Sequence, residues 1–187
     1  VSINRNDKTY GDILSILNLV HRCNKNKFKL DIDYFINDEK MRNWYCNNFN
    51  CDLRLITCNY SASTNRLNCL KWCRKNNKHW NKVTFNLAII NNNIDILKYL
   101  KKHRCPYDFF VCSYAVLHNK LHILKWLIEN GYKIREKIMI HAASCNNLEI
   151  IKFLLNIGQE INRMVNIIAA RNNYIDILDY IYYYLKL

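Results

Sequence analysis

At 187 residues, half of them apolar and 23% charged, the chain has the size and composition of one folded domain that buries about two thirds of its unfolded surface, which excludes disorder as its main state. Three glycines and one proline leave almost nothing to build the tight turns of a many-stranded sandwich or barrel, so the expected fold class is all-α. A formal charge of +13 from 28 Lys and Arg against 15 Asp and Glu attracts acidic partners and nucleic acid without specifying either.

No apolar run reaches the roughly 18 residues that span a bilayer, and no N-terminal apolar stretch with a cleavage site is present, so no membrane partner and no secretion are expected. Nine cysteines, odd in number and without a disulfide-like pattern, point to a reducing, cytoplasmic compartment. The frequent Asn and Ile are attributed mainly to an AT-rich coding sequence. Because the chain opens on Val1, a missing start is expected.

Residues 1–57 carry the weakest pattern. Tyr45 and Cys46 stand 27 residues before Trp72 and Cys73, and 32–50 resembles a degenerate copy of the units that begin at residue 58, although Met41 and Trp44 fit only after a one-residue shift. An N-terminal helical cap or degenerate repeat is expected there.

From residue 58 onward a repeat organises the chain. LKWC at 70–73, LKYL at 97–100, LKWL at 124–127, IKFL at 151–154 and LDYI at 178–181 recur at a spacing of 27. The units are 58–84, 85–111, 112–138, 139–165 and 166–187. Their fourth column holds Ser61, Ala88, Ala115, Ala142 and Ala169, small residues where one helix lies close against its neighbour. Ile94, Ile96, Leu97 and Leu100, and Leu121, Ile123, Leu124 and Leu127 one unit later, form one apolar helical face. Lys71, Lys98, Lys125 and Lys152 fall between these positions and should face water. Trp72, Tyr99, Trp126, Phe153 and Tyr180 follow them as aromatics filling the space between helix pairs.

The eighth column is Asn in all five units: Asn65, Asn92, Asn119, Asn146 and Asn173. Asn is the best residue after Gly for a left-handed backbone, so these are expected structural turn residues between two helices. Gly131 and Gly158 share a later column that suits a helix C-terminus. Asn81, Asp108 and Asn162 share another that suits the N-cap of the next first helix. Each unit is thus a helix near 82–91, a turn, a helix near 94–103 and a short return, and such pairs stack as an α-solenoid.

AIINNNIDILKYLKKHRCPYD at 88–108, AVLHNKLHILKWLIENGYKI at 115–134 and AASCNNLEIIKFLLNIGQEI at 142–161 resemble ankyrin repeats, with Asn where that family has its interhelical Gly. The resemblance covers about 58–187. The short unit and the Cys105-Pro106-Tyr107-Asp108 return resemble the CPWD-type repeats of large DNA viruses and some protists. It implies reduced or absent β-hairpins, a host-cell or virion setting, and a non-catalytic scaffold that grips a partner protein in a concave groove. By the same resemblance the two residues before each turn Asn line that groove: Ser63 and Thr64, Ile90 and Asn91, Leu117 and His118, Ser144 and Cys145, Arg171 and Asn172. Ile90 and Leu117 are expected to be exposed apolar anchors. The F-box that often accompanies viral ankyrin proteins is not expected, because 1–30 lacks a Leu-Pro-x-Glu opening.

Other chemistry is sparse. Cys46, Cys51, Cys58, Cys69 and Cys73 are close in sequence but lack CxxC spacing, and Cys69 and Cys73 occupy columns of Ile and Leu, so core packing is expected and no metal. The histidines fall in different columns, no nucleophile pairs with a base, and no Gly-rich phosphate loop exists, so neither enzyme activity nor a cofactor is expected. Lys71, Arg74, Lys75, Lys78, Lys82, Lys98, Lys101, Lys102 and Arg104 against Asp95 give 71–104 a charge of +8. This basic patch supports the alternative of a nucleic-acid-binding or virion-assembly component. The aromatic C-terminus, 180–185, is either its own cap or a surface for self-association.

Overall fold

The computed structural model describes residues 33, 36–49 and 53–186. Among them every regular element is helical. After α1 (Glu39–Phe49) and a short 3₁₀ turn (Leu53–Leu55) come α2 (Cys58–Ser63), α3 (Leu67–Lys75), α4 (Lys82–Ile90), α5 (Ile94–Lys102), α6 (Val111–Leu117) and α7 (Leu121–Glu129). The series continues with α8 (Ile138–Ser144), α9 (Leu148–Asn156), α10 (Arg163–Arg171) and α11 (Ile175–Lys186). Residues 1–30, where no F-box is expected, and Cys51 lie outside the described residues.

The turns follow from the expected asparagines. Asn65, Asn92, Asn119, Asn146 and Asn173 all have positive φ, between 50° and 63°. At Asn92 the preceding helix closes by two backbone bonds, Asn92 N–H to Ile89 O and Asn93 N–H to Ala88 O, both 3.0 Å, which is the Schellman arrangement. The small residue of the fourth column is the one whose carbonyl receives the longer-range bond: Arg66 donates to Ser61, Lys120 to Ala115, Asn147 to Ala142 and Tyr174 to Ala169. One column therefore meets two demands, a closing carbonyl and a side chain small enough for a fully buried contact. Replacing Asn92 by Val, a β-branched residue at a left-handed position, is expected to cost about 1–2 kcal/mol in urea unfolding, whereas Asn92→Gly should change stability far less.

The second helices end by the same device. Asn77, Arg104, Gly131 and Gly158 hold the left-handed position, with φ of 54°, 55°, 84° and 83°. The glycine column thus continues into Asn77 and Arg104, which composition alone does not reveal. Second helices also begin on caps that the repeat pattern does not single out: Asn93 Oδ1 accepts from Ile96 N–H at 2.9 Å and Asn147 Oδ1 from Ile150 N–H at 2.8 Å.

Among the expected caps of the first helices, Asn81 and Asn162 act as such, accepting from Val83 N–H at 2.9 Å and Val165 N–H at 3.2 Å. Asp108 does not. Its carboxylate accepts from Phe110 N–H at 2.9 Å and from Asn86 Nδ2 at 3.2 Å, so it ties the return to α4, and α6 starts at Val111.

First helices pack on first helices along the stack, α2 on α4, α4 on α6, α6 on α8 and α8 on α10, while each also packs on its own second helix. Second helices approach one another less closely than first helices do. Ile96, Leu97 and Leu100, then Ile123, Leu124 and Leu127, then Ile150, Ile151 and Leu154 are fully buried between the two rows. The aromatics expected between helix pairs are only half-buried and lie against this core. Two of them, Phe153 and Tyr180, carry a lysine of the preceding unit over the ring. Lys125 Nζ lies 5.4 Å from the Phe153 ring centre, and Lys152 Nζ the same distance from that of Tyr180. These lysines reach water with their charge while shielding an aromatic, the ordinary compromise of a long basic side chain.

The segment before α2 docks on the first unit. Asp33 Oδ1 accepts from Cys69 N–H at 2.8 Å, and Lys78 Nζ donates to the carbonyls of Leu53, Arg54 and Ile56 at 3.0, 3.4 and 2.6 Å.

Candidate interaction surface

Each residue pair expected to line the groove is the last helical residue and the C-cap of a first helix. The common backbone closure puts these pairs at one height, so they form a row across the stack. Neighbouring turns are laced together: Asn65 Nδ2 donates to Asn91 O at 3.3 Å, Asn147 Nδ2 donates to Asn119 Oδ1, and Cys145 Sγ lies 3.7 Å from Leu117 O.

The row is not uniform. In its first half Ser63, Ile90 and Asn91 are half-buried, and Thr64 is exposed with its hydroxyl donating to Tyr60 O at 2.7 Å. Ile90 is therefore a partly packed residue, and of the two expected anchors only Leu117, 45% exposed, presents its side chain to water. In the second half Leu117, His118, Ser144, Cys145, Arg171 and Asn172 are all exposed. Ser144 and Asn172 donate back to carbonyls of their own helices, Ile140 O and Ile168 O, both at 2.9 Å, which fixes their orientation. The surface thus carries an apolar anchor flanked by pre-set polar groups.

A second exposed row goes beyond the sequence expectation. Val83, Phe110 and Met164 occupy one column at the starts of first helices and are exposed apolar residues, and Phe109 beside them is 71% exposed. The Arg135 guanidinium lies 4.9 Å from the Phe109 ring centre. A sequence signal for this row exists: Val83, Phe110, Lys137 and Met164 share a column in which apolar residues recur without the regularity of a packed position.

The basic stretch divides by role. Lys71, Lys75, Lys82, Lys98, Lys102 and Arg104 are exposed. Three others are engaged in the fold. Lys78 holds the carbonyls before α2, and Arg74 donates to Lys78 O at 2.8 Å with its guanidinium 4.1 Å from the Trp80 ring centre. Lys101 Nζ donates to Asn130 O at 3.2 Å and to Asn130 Oδ1 at 2.6 Å. The charge of the patch is unchanged by these neutral acceptors, but fewer of its cations are uncommitted donors than a count implies.

The cysteines pack. Cys58, Cys69, Cys73, Cys105 and Cys112 are buried free thiols, Cys46 is half-buried and Cys145 exposed. The thiol hydrogen bond to Cys73, together with burial, pushes Cys58 well above the usual thiol range. Burial alone raises Cys112 to about 11 and, opposed by Arg74, raises Cys105 to about 12, so these thiols stay protonated and unreactive. Burial, aided by the Lys137 charge, lowers His141. Among the described residues no three His, Cys, Asp or Glu side chains come together as a metal site, and no helix is long and apolar enough to cross a membrane.

Among curated proteins, none matches the chain. Residues 112–186 match the family model of ankyrin repeats over three copies. Repeats of this family are generally protein–protein interaction modules and typically non-enzymatic scaffolds. The same helix pair, the same left-handed Asn and the same closing bonds continue upstream at Asn65 and Asn92. Residues 112–186 are thus ankyrin repeats, and the helix pairs before them share their turn geometry.

Proposed function

We propose that this chain is a non-catalytic scaffold that binds a partner protein on the first-helix side of its stack, through Leu117, His118, Ser144, Cys145, Arg171 and Asn172. The observation that carries this reading is their exposure in one register, beside columns held constant by packing. Side chains fixed before binding lose little entropy on docking, so affinity and specificity come from residues that the core does not constrain. The proposed setting is a reducing host-cell or virion compartment, to which the free cysteines and the short viral-type return lend support.

The test compares wild type with Leu117→Asp/His118→Glu in nuclease-treated lysate, scored by mass spectrometry. A discrete protein is expected to be retained by the wild type and lost by the double variant, with unchanged far-UV circular dichroism. Capture that nuclease abolishes, with a steep loss of binding on raising salt, would instead favour nucleic acid on Lys71, Lys75, Lys98 and Lys102.

A further inference from the structure

A cavity of about 430 Å³ opens between the returns that follow α5 and α7, within the size range of small-ligand pockets. Its aromatic wall is Tyr107 against Tyr132, with ring centres 4.8 Å apart and planes at 70°. Pro106 and Gly131 add backbone and apolar surface, and the cations at its edge are Lys101 and Arg104. No carboxylate lines it. The nearest acid in the return, Asp108, is turned to Asn86 and Phe110 N–H.

The two cations differ in what they are free to do. Lys101 is committed to Asn130, with its ammonium 6.0 Å from the Tyr132 ring centre. Among the described residues, the Arg104 guanidinium has neither a hydrogen-bond nor an ion-pair partner. Its backbone is an independent observation. Arg104 sits at φ 55° where the equivalent residues are Asn77, Gly131 and Gly158, types suited to that conformation as arginine is not. Backbone strain of this kind persists where a side chain has a use.

We propose that this cavity binds an acidic side chain of a partner peptide, a carboxylate on an apolar stem, with Arg104 as the contact that carries the charge. Guanidinium matches a carboxylate with two parallel N–H donors, while Tyr107, Tyr132 and Pro106 cover the stem. Burial first, with the neighbouring Tyr107 and cysteines, pushes the Tyr132 hydroxyl up to about 12, so it stays a donor. The aromatic wall disfavours a bare hydrated anion, which gains nothing from it. The proposal rests on the protein-binding reading above but uses a different face from Leu117 and His118.

Isothermal titration calorimetry on the full chain tests it. The probes are an acetylated, amidated peptide alternating Glu and Leu, its Gln counterpart, inorganic phosphate and a single-stranded oligonucleotide. The variants are Arg104→Gly, which folds because glycine already stands at the equivalent 131 and 158, and Lys75→Gln, an exposed cation outside the cavity. The Glu peptide is expected to bind wild type, to weaken at least about tenfold in Arg104→Gly and to keep its affinity within about twofold in Lys75→Gln. The Gln peptide and phosphate are expected to bind at least about tenfold more weakly than the Glu peptide. Equal loss in both variants, an undiminished Arg104→Gly, phosphate as tight as the peptide, an oligonucleotide tighter than the peptide, or no binding by wild type would each overturn the site. Leu117→Asp/His118→Glu should leave Glu-peptide binding intact, so failure of the first-helix surface and failure of this cavity give separate results.

Discussion

Leu124→Ala is expected to lower the free energy of unfolding by about 3 kcal/mol, a large share of the 5–15 kcal/mol of a typical domain. Leu124 is fully buried in the middle of the stack, and its column continues through Leu70, Leu97 and Ile151, also fully buried. Removing most of its side chain leaves a cavity that helices joined by short turns close only in part. In a repeat protein each unit is stabilised only by its neighbours, so a void at the centre weakens both halves. The last member of the column, Leu178, is half-buried in the terminal unit, and Leu178→Ala should cost roughly half as much. Urea unfolding followed by far-UV circular dichroism gives both values. Equal costs would show that the end unit is as tightly packed as the centre.

The second large effect lies in a residue that composition assigns to a binding patch. Lys78→Met is expected to destabilise by about 2 kcal/mol, because it leaves three carbonyls, those of Leu53, Arg54 and Ile56, without their ammonium donor. The loss should be local first, with residues 53–57 becoming sensitive to protease below the melting transition. Lys75→Met, three residues away and exposed, should change stability by less than about 0.5 kcal/mol. Matching melting curves for Lys78→Met and wild type would return Lys78 to the free charge of the surface.

These two residues illustrate which features can be read from sequence. The burial of Leu124 follows from a column of large aliphatics at fixed spacing, and the five turns follow from a backbone conformation that few residues tolerate. Such constraints act in every unit and so leave a repeated mark. Lys78 acts once, on a segment before the first clear unit, and one lysine among many leaves no mark. Arg104 is hidden for a related reason: its column is glycine in only two units, so the other left-handed ends look like ordinary loop. Ile90 shows the converse. Its column is variable, which correctly signals freedom from uniform packing, yet variability does not say which member is covered. The partial burial of Ile90 and the exposure of Phe109 and Phe110 depend on how far each first helix extends, and that length differs between units, nine residues in α4 and α10 against seven in α6 and α8.

The backbone closures have a consequence for how such a chain changes length. Every helix from α2 to α10 ends on bonds between main-chain groups and one left-handed residue, so the joints ask almost nothing of the side chains beyond them. Equivalent points 27 residues apart are therefore interchangeable cut sites. Excising 112–138 joins Val111 to Met139 and lays the Ala88 layer against that of Ala142, a pairing chemically like those already in the stack. Recombination between units then shortens or lengthens the protein in whole steps, adding or removing one pair of exposed first-helix residues at a time while the core between them keeps its pattern.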